Sequence, residues 1–407
     1  MKDRARRAIA ECRHIAALSE EPERITRRFL TPPIRDVHAH LRGCMEALGM
    51  SVHVDAAGNL RGLWSEADSG SRRLVLGSHI DTVPDAGAFD GVLGVTLALE
   101  WVGIAQDLAL PLTIEVIAFS EEEGVRYGVP FLGSRAVAGS FDHAWLTLTD
   151  TEGISMEAAM RAFGLDPGRI GEAVLNADAA DFLEIHIEQG PVLEAEELRV
   201  AAVTAIAGQT RLNMAFGGHA NHAGTTPMHL RRDALAGAAE WISAVEILGR
   251  STEGLIATVG KVTVEPNAGN VVPGLAQVSL DVRHVDDAIR VSAVEELVAD
   301  ANAIAAQRGL TLERTDRLDQ PAVPMDERLT TLLTDAIDAA ACPVKTMPSG
   351  AGHDAMVMAA KVPTAMLFLR SPGGISHHPS ESVLEQDVEA ALHVGREFLL
   401  RLAGRVR

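Results

Sequence analysis

The sequence predicts an α/β fold with a largely parallel sheet, interrupted by an inserted α+β unit. Three observations predict it. Short apolar runs, "RRLVLGS" (72–78), "PLTIEVIAFS" (111–120), "FLEIHIEQG" (182–190) and "PTAMLFLRS" (363–371), read as strands buried on both faces. Helical patterns separate them, as crossovers between parallel strands require. Near residue 207 the rhythm changes. There "TRLNMAFGG", "LIATVGKVTVE" and "LAQVSLDVRHV" alternate apolar with polar, the mark of strands with one wet face.

Taken in order, residues 4–18 form an amphipathic helix and residues 33–48 a second. The second has Thr31 as cap, prolines in its first turn, and Ile34, Val37, Leu41, Met45 and Leu48 at helical spacing. Two short strands follow at "MSVHVD" and "NLRGLW", with Gly58 and Asn59 as their turn. "GVLGVTLALEWVGIA" (91–105) is apolar on nearly every side and so is a core helix. Two helical stretches, near 231–249 and 286–308, separate the alternating strands. After Pro324 come a core helix at "LTTLLTDAIDAA", the strand at 363–371 and a closing helix over 385–402. The expected organisation is a discontinuous first domain, 1–206 with 325–407, and an inserted domain, 207–324.

Composition narrows the function. A chain of 407 residues exceeds a single small core. Its formal charge of −20, from 36 basic and 56 acidic residues, repels nucleic acid and anionic membranes. No run approaches the ~18 apolar residues of a membrane span. The basic start, "MKDRARRAIAECRHIAALSEE", lacks the apolar stretch and cleavage site of a secretory signal. Three scattered cysteines, Cys12, Cys44 and Cys342, lack metal-ligand spacing and read as buried filler. A cytoplasmic protein without disulfides is the expectation. An anionic substrate would need local positive charge from metal ions or a placed arginine.

Open α/β sheets bind ligands beyond the carboxyl ends of their strands. The strand "LVLGS" runs into His79 and Asp81, with Asp90 further along the same loop. "IEVIAFS" runs into Glu121, Glu122 and Glu123, "FLEI" into His186 and Glu188, and "AMLFLRS" towards His377 and His378. Taken singly, His-x-Asp is loop filler, Glu-Glu-Glu a solvated charge run, and His186 a satisfied core histidine. Their recurrence at one sheet edge points instead to an imidazole and carboxylate site for zinc, manganese or cobalt. Asp81 is placed to orient the ring of His79. Of adjacent glutamates, one can bind metal while its neighbour faces the water that metal activates. His38, His40, His53, His143 and His393 read as ordinary histidines.

Eight segments then occur in a telling order: "GSHIDTVPDAGAFDGVLGV", "FSEEEGVRYGVPFLGSRAVAG", "EIHIEQGPVLE", "HAGTTPMHLRRDAL", "PNAGNVVPG", "LDVRH", "SGAGHDAM" and "GGISHHPSE". Together they resemble the amidase and hydantoinase-carbamoylase branch of the M20 metallopeptidase-like family, over most of residues 20–400. The resemblance implies two divalent metal ions per subunit, with manganese favoured and zinc or cobalt as alternatives. It implies that His79 and His186 each hold one metal, with Asp90 bridging the two. Glu123 and His377 complete the set, Glu122 is the general base, and Asp81 belongs to the catalytic group. The inserted domain becomes a lid and dimerisation domain, in which His222 polarises the scissile carbonyl, often across a homodimer. Gln189, Asn270 and Arg283 match substrate-binding positions, and Arg283 offers a bidentate clamp for a carboxylate. Asn270 also reads as a turn-former after Gly269. His353 reads either as a substrate-site residue or as a helix-start residue.

The implied substrate is a small anionic ureido compound. "HIEQGP" and "HAGTTPM" are absent from peptidase members of the wider family, which favours ureido over peptide cleavage. "SEEPERITRRFLTPP" and "MPSGAGHDAMVMA" are similar to the plant-type allantoate-hydrolysing members of the branch, and Asp85-Ala86 stands where many carbamoylases are glycine-rich. The resemblance thus implies allantoate as substrate, giving ureidoglycine, ammonia and carbon dioxide. N-carbamoyl-L-amino acid hydrolysis is the alternative, with ureidoglycolate or β-ureidopropionate as relatives of it. Tyr127 stands where the resemblance expects phenylalanine. A binding module without catalysis would lack a ligand or Glu122, and all are present.

Overall fold

The computed structural model describes residues 1–66, 73–176 and 180–405. Two compact units emerge, Met1–Thr204 with Met325–Arg407, and Ala205–Pro324. In the first, a sheet runs Ser51–Val54, Leu60–Ser65, Thr113–Phe119, Arg73–His79, Ala180–Ile187, Thr364–Leu369, Val200–Ile206. The four central strands are parallel, with antiparallel neighbours on both sides. The strand expected at 72–78 begins at Arg72, which lies outside the described residues. His79 pairs in register with Phe119, and His186 with Phe368, so the central strands all end at one sheet edge.

The helix Val92–Asp107 is buried through almost all its length, as its apolar circumference requires. Its one buried acid, Glu100, is paired by Arg4 and Arg7 from the helix Lys2–Ala16. That first helix turns Ala5, Ala8, Ile9, Cys12 and Ile15 inward. Thr31 precedes the helix Pro32–Ala47 but makes no side-chain cap; its hydroxyl goes to the Arg28 carbonyl at 2.8 Å. The reason lies in the prolines. Pro33 has no N–H to offer, and the Ile34 N–H is taken by the Thr31 carbonyl at 3.1 Å. Asn59 does more than turn the hairpin. Fully buried, it donates to Asp55 and to the Gly133 carbonyl, and accepts from the Ser120 N–H. It thereby fixes the end of the strand Thr113–Phe119. Cys12 and Cys342 are buried as expected, whereas Cys44 is half-exposed.

The second unit is an antiparallel sheet ordered Val262–Glu265, Leu275–His284, Gly208–Gly217, Thr311–Gln320. The helices Ala234–Ser251 and Asp287–Arg308 supply the rest of its core, in which Leu212, Met214, Phe216, Val278 and Leu280 are buried. The single strand expected in "LIATVGKVTVE" is two, Ile256–Thr258 and Val262–Glu265, both paired with Leu275–His284. Between the two pairings the strand advances one residue more than its partner, a bulge at Val259–Lys261. Thr311–Gln320 was not expected as a strand, because it is an edge strand wet on both faces and has no apolar rhythm. No helix among the described residues is long and apolar enough to cross a membrane.

Candidate metal centre

The parallel strands deliver His79, the Glu121–Glu123 loop and His186 to one edge. His79 and His186 are the last or penultimate residues of adjacent strands. Asp90 arrives from the loop between His79 and the helix Val92–Asp107. The loop must pass very close to the His79 ring. A Cβ at Gly91 would sit 2.6 Å from that ring, and Gly91 also has φ of +66°, so glycine is required there.

Asp90 is the centre of the arrangement, and its two oxygens face different partners. Oδ1 stands 3.1 Å from His186 Nε2 and 3.5 Å from His79 Nε2. Oδ2 stands 3.1 Å from His377 Nε2, which is 3.3 Å from Glu123 Oε1. Two triads result, His79–Asp90–His186 and Asp90–Glu123–His377, each with donor atoms mutually within 4.8 Å.

The donor set fits divalent cations. His79 Nδ1 lies 3.1 Å from the Asp81 carbonyl and His186 Nδ1 2.9 Å from the Ile187 carbonyl. Those contacts place each ring's hydrogen on Nδ1 and turn the Nε2 lone pairs inward, 3.5 Å apart. Asp90 Oδ1, buried between them, has no partner of hydrogen-bonding geometry. Lone pairs converging on one point without a donor call for a cation. The same convergence of carboxylates and imidazoles favours protons on the rings. Burial opposes charge on His79, but Asp81 and Asp90 prevail and hold the ring well above its ordinary pKa. Asp90 and Glu123 push His377 up to about 10. Burial opposes the Asp90 carboxylate too, yet the imidazoles of His186, His377 and His79 hold it well below the usual range. A metal binding here would release such protons.

Glu122 is buried, and one of its carboxylate oxygens lies within 4.8 Å of ligand atoms of His79 and Glu123. Burial, then repulsion from Glu123, holds its carboxyl well above the usual range, the direction a proton-transfer group needs. Asp81 serves more than His79. Its oxygens accept the backbone N–H groups of Glu122 at 2.9 Å and Glu123 at 3.1 Å. Its carboxylate is 3.4 Å from His79 Nδ1, farther than its own carbonyl. Asp81 thereby ties the backbone of both glutamates to the strand end that carries His79.

Gln189 has the left-handed φ of +59° and donates to Asp90 Oδ2 and Ser376 Oγ, both at 3.1 Å. A non-glycine residue held there stores strain at the site. Glu188 instead accepts the N–H groups of Val192 and Leu193 and anchors the next turn. His353 precedes the short helix Asp354–Met358 without capping it. It is buried, bonded to Ser349 Oγ at 2.9 Å, and its ring meets that of His186 edge to face at 4.5 Å. His378 is turned away to accept the Ser380 N–H.

His222, Asn270 and Arg283 lie in the second unit. His222 is exposed, and its Nδ1 accepts the N–H groups of Gly224 and Thr225. The ring hydrogen therefore sits on Nε2, a donor facing outward. Arg283 is held by Asp281 through both carboxylate oxygens at 2.9 and 3.0 Å. Asn270 lies in a turn closed by the Val271 N–H on the Ala268 carbonyl at 3.1 Å, and its own carbonyl accepts the Ala223 N–H beside the pairing of His222 with Val271.

Three contributors escaped the sequence reading. Glu381 accepts the N–H groups of Phe89 and Asp90 and the Ser376 hydroxyl. Ser376 links Glu381 to Gln189 and Asp90. Glu184 accepts from Ser78 and the Ala355 N–H beneath His186. An acid in the middle of "FLEIHI" was the available signal for Glu184. Glu381 and Ser376 lay inside a quoted motif but among turn-like residues.

Residues 75–401 match the peptidase family M20/M25/M40. An allantoate deiminase of Arabidopsis thaliana is 36% identical over 96% of this chain and 81% of its own length. An N-carbamoyl-L-amino-acid amidohydrolase of Paenarthrobacter aurescens is 36% identical over 98% of both chains. The crystal structure of an amidase of the hydantoinase/carbamoylase family from Burkholderia multivorans superimposes with a TM-score of 0.92, at 31% identity and 98% coverage of both chains.

Proposed function

The chain belongs to the M20/M25/M40 peptidase family, and from that premise we propose that it is a two-metal amidohydrolase cleaving a ureido C–N bond, with allantoate as substrate. The products are ureidoglycine, ammonia and carbon dioxide. The observation that carries this reading is the division of Asp90, one oxygen towards His79 and His186, the other towards His377 and Glu123. N-carbamoyl-L-amino acids are the second reading, favoured by the Paenarthrobacter relative at equal identity.

His79, His186 and Asp90 would hold one divalent ion, and Asp90, Glu123 and His377 the other. Ligation by nitrogen and oxygen alone supports manganese, with zinc or cobalt as alternatives. Bound there, such ions polarise a carbonyl and bring a water's pKa to about 7. Glu122 takes the proton of the attacking water and delivers one to the departing nitrogen. Asp81 keeps Glu122 in place, and Gln189 offers an amide N–H beside Asp90. His222, through its Nε2–H, acts on the scissile carbonyl, while Arg283 and Asn270 bind the substrate carboxylate and amide; His353 backs the substrate side of His186. Residues 207–324 serve as lid and as homodimer interface, supported by exposed Ile247, Ile256 and Val262. The protein works in the cytoplasm.

The test is a side-by-side rate comparison on allantoate, ureidoglycolate, 3-ureidopropionate and several N-carbamoyl-L-amino acids, following ammonia and carbon dioxide. Preference for allantoate is expected. Preference for a carbamoyl amino acid would transfer the assignment to the second reading, and inertness towards all would reject both.

A further inference from the structure

The helices Lys2–Ala16 and Pro32–Ala47 carry a second ligand cluster that shares no residue with the centre above. His40 and Cys44 stand four apart on one helix, so they share a face one turn apart. Glu11 reaches them from the other helix. One ligand atom from each of Glu11, His40 and Cys44 lies within 4.8 Å of the other two. Singly, His40 is an ordinary histidine and Cys44 a small apolar side chain; the helical i, i+4 spacing joins them.

The geometry matches a cation. His40 Nε2 is 3.7 Å from Cys44 Sγ. A tetrahedral zinc with its usual Zn–N and Zn–S lengths separates those two atoms by roughly 3.5 Å. Glu11 Oε2 closes the third side, now hydrogen-bonded to His40 Nε2 at 2.5 Å; the two need only part to roughly 3.4 Å to share a tetrahedral ion. The His14 ring packs against that of His40, centroids 4.3 Å apart, and steadies it. All three ligands are half-buried, so they are sheltered yet reachable. A cavity of about 260 Å³, to which Glu11 and Cys44 both contribute, opens beside them between Arg4, Arg7, Leu41 and Glu100.

We propose that Glu11, His40 and Cys44 form a separate binding site for one zinc-class cation, with water in the fourth position. The mixed thiolate, imidazole and carboxylate set selects a borderline-soft ion such as zinc or cobalt over manganese. On binding, the Cys44 Sγ–H proton passes to solvent, and His40 ligates as a neutral imidazole with its ring hydrogen on Nδ1, so that the metal replaces its hydrogen bond to Glu11. The ion clips the two helices together.

Sulfur makes the test specific, because none of the ligands at Asp90 carries it. Cobalt(II) is titrated into the manganese-loaded protein, and the near-ultraviolet thiolate-to-cobalt charge-transfer band is followed. The band should saturate at one equivalent and vanish on addition of zinc. It should be lost in Cys44→Ser and Cys44→Ala, need at least tenfold more cobalt in His40→Ala, and persist in Cys12→Ser and Cys342→Ser. Zinc should also protect Cys44 from alkylation in the parent protein. No band at saturating cobalt, or a band surviving Cys44→Ser in a variant with unchanged circular dichroism, overturns the proposal.

Discussion

Replacing Glu381 tests whether the metal centre depends on support behind Asp90. Glu381 is 5% exposed, and its Oε1 accepts the N–H groups of Phe89 at 2.9 Å and Asp90 at 3.0 Å. Its Oε2 accepts Ser376 Oγ at 3.2 Å. Phe89 and Asp90 are themselves buried. Glu381→Ala leaves two buried N–H groups without an acceptor, each worth about 1–3 kcal/mol, so the folded state should lose about 2–6 kcal/mol. Asp90 also loses its fixed orientation, and removal of such outer support lowers metal affinity about 10–100-fold. Glu381→Gln keeps an oxygen for both N–H groups and forfeits mainly the charge, which should destabilise by about 1 kcal/mol. Urea unfolding of the metal-free proteins reads the first quantity, and equilibrium dialysis with manganese the second. If Glu381→Ala unfolds within about 0.5 kcal/mol of the parent and binds manganese equally well, the role given to Glu381 is wrong.

Four further outcomes are expected. Glu122→Gln should keep its metal content while turnover falls about 10²–10⁴-fold, since the Asp81 bond to its backbone survives the change; near-normal turnover would reject it as the base. Arg283→Ala should raise KM by about 10–100-fold with a smaller change in kcat, the loss of a charged pair to the substrate carboxylate; an unaltered KM removes Arg283 from the binding residues. Chelation should abolish hydrolysis, and manganese, zinc or cobalt should restore it; hydrolysis surviving full chelation would sink the mechanism. His38 gives a pH signature unrelated to the metals. Burial, then Arg42, lowers its pKa from 6.5 to about 4, so the unfolded chain binds the proton first. Its contribution is complete above pH 6.5 and is lost as pH falls towards 4, about 3 kcal/mol in all. His38→Leu should flatten stability against pH in that window, and an unchanged slope would show that His38 stays neutral in both states or charged in both.

Contrast explains which parts of this molecule were legible. His79 and His186 stand out because an imidazole at the end of a strand such as "FLEIHI" has no place in a dry core unless something satisfies it. Parallel pairing then forces the strand ends together, so chain order becomes proximity without knowledge of any loop. The supporting residues lack that contrast. Ser376 and Glu381 sit among Gly, His and Pro, where a polar side chain is the norm, and only the path of the loop back to Phe89 and Asp90 reveals their use. Asn59 has the same history: it looked like a turn residue, and is one, but its amide also fastens the strand before the glutamates. In the second unit the edge strand Thr311–Gln320 was hidden for the opposite reason, since both its faces are wet and no periodicity was needed. A ligand is conspicuous because it violates its surroundings, whereas the group that orients the ligand conforms to its own. Substitutions chosen from sequence alone would therefore remove ligands and leave their supports in place. Testing Glu381 separates the two, because it leaves every proposed ligand in the chain and removes only what holds Asp90 between them.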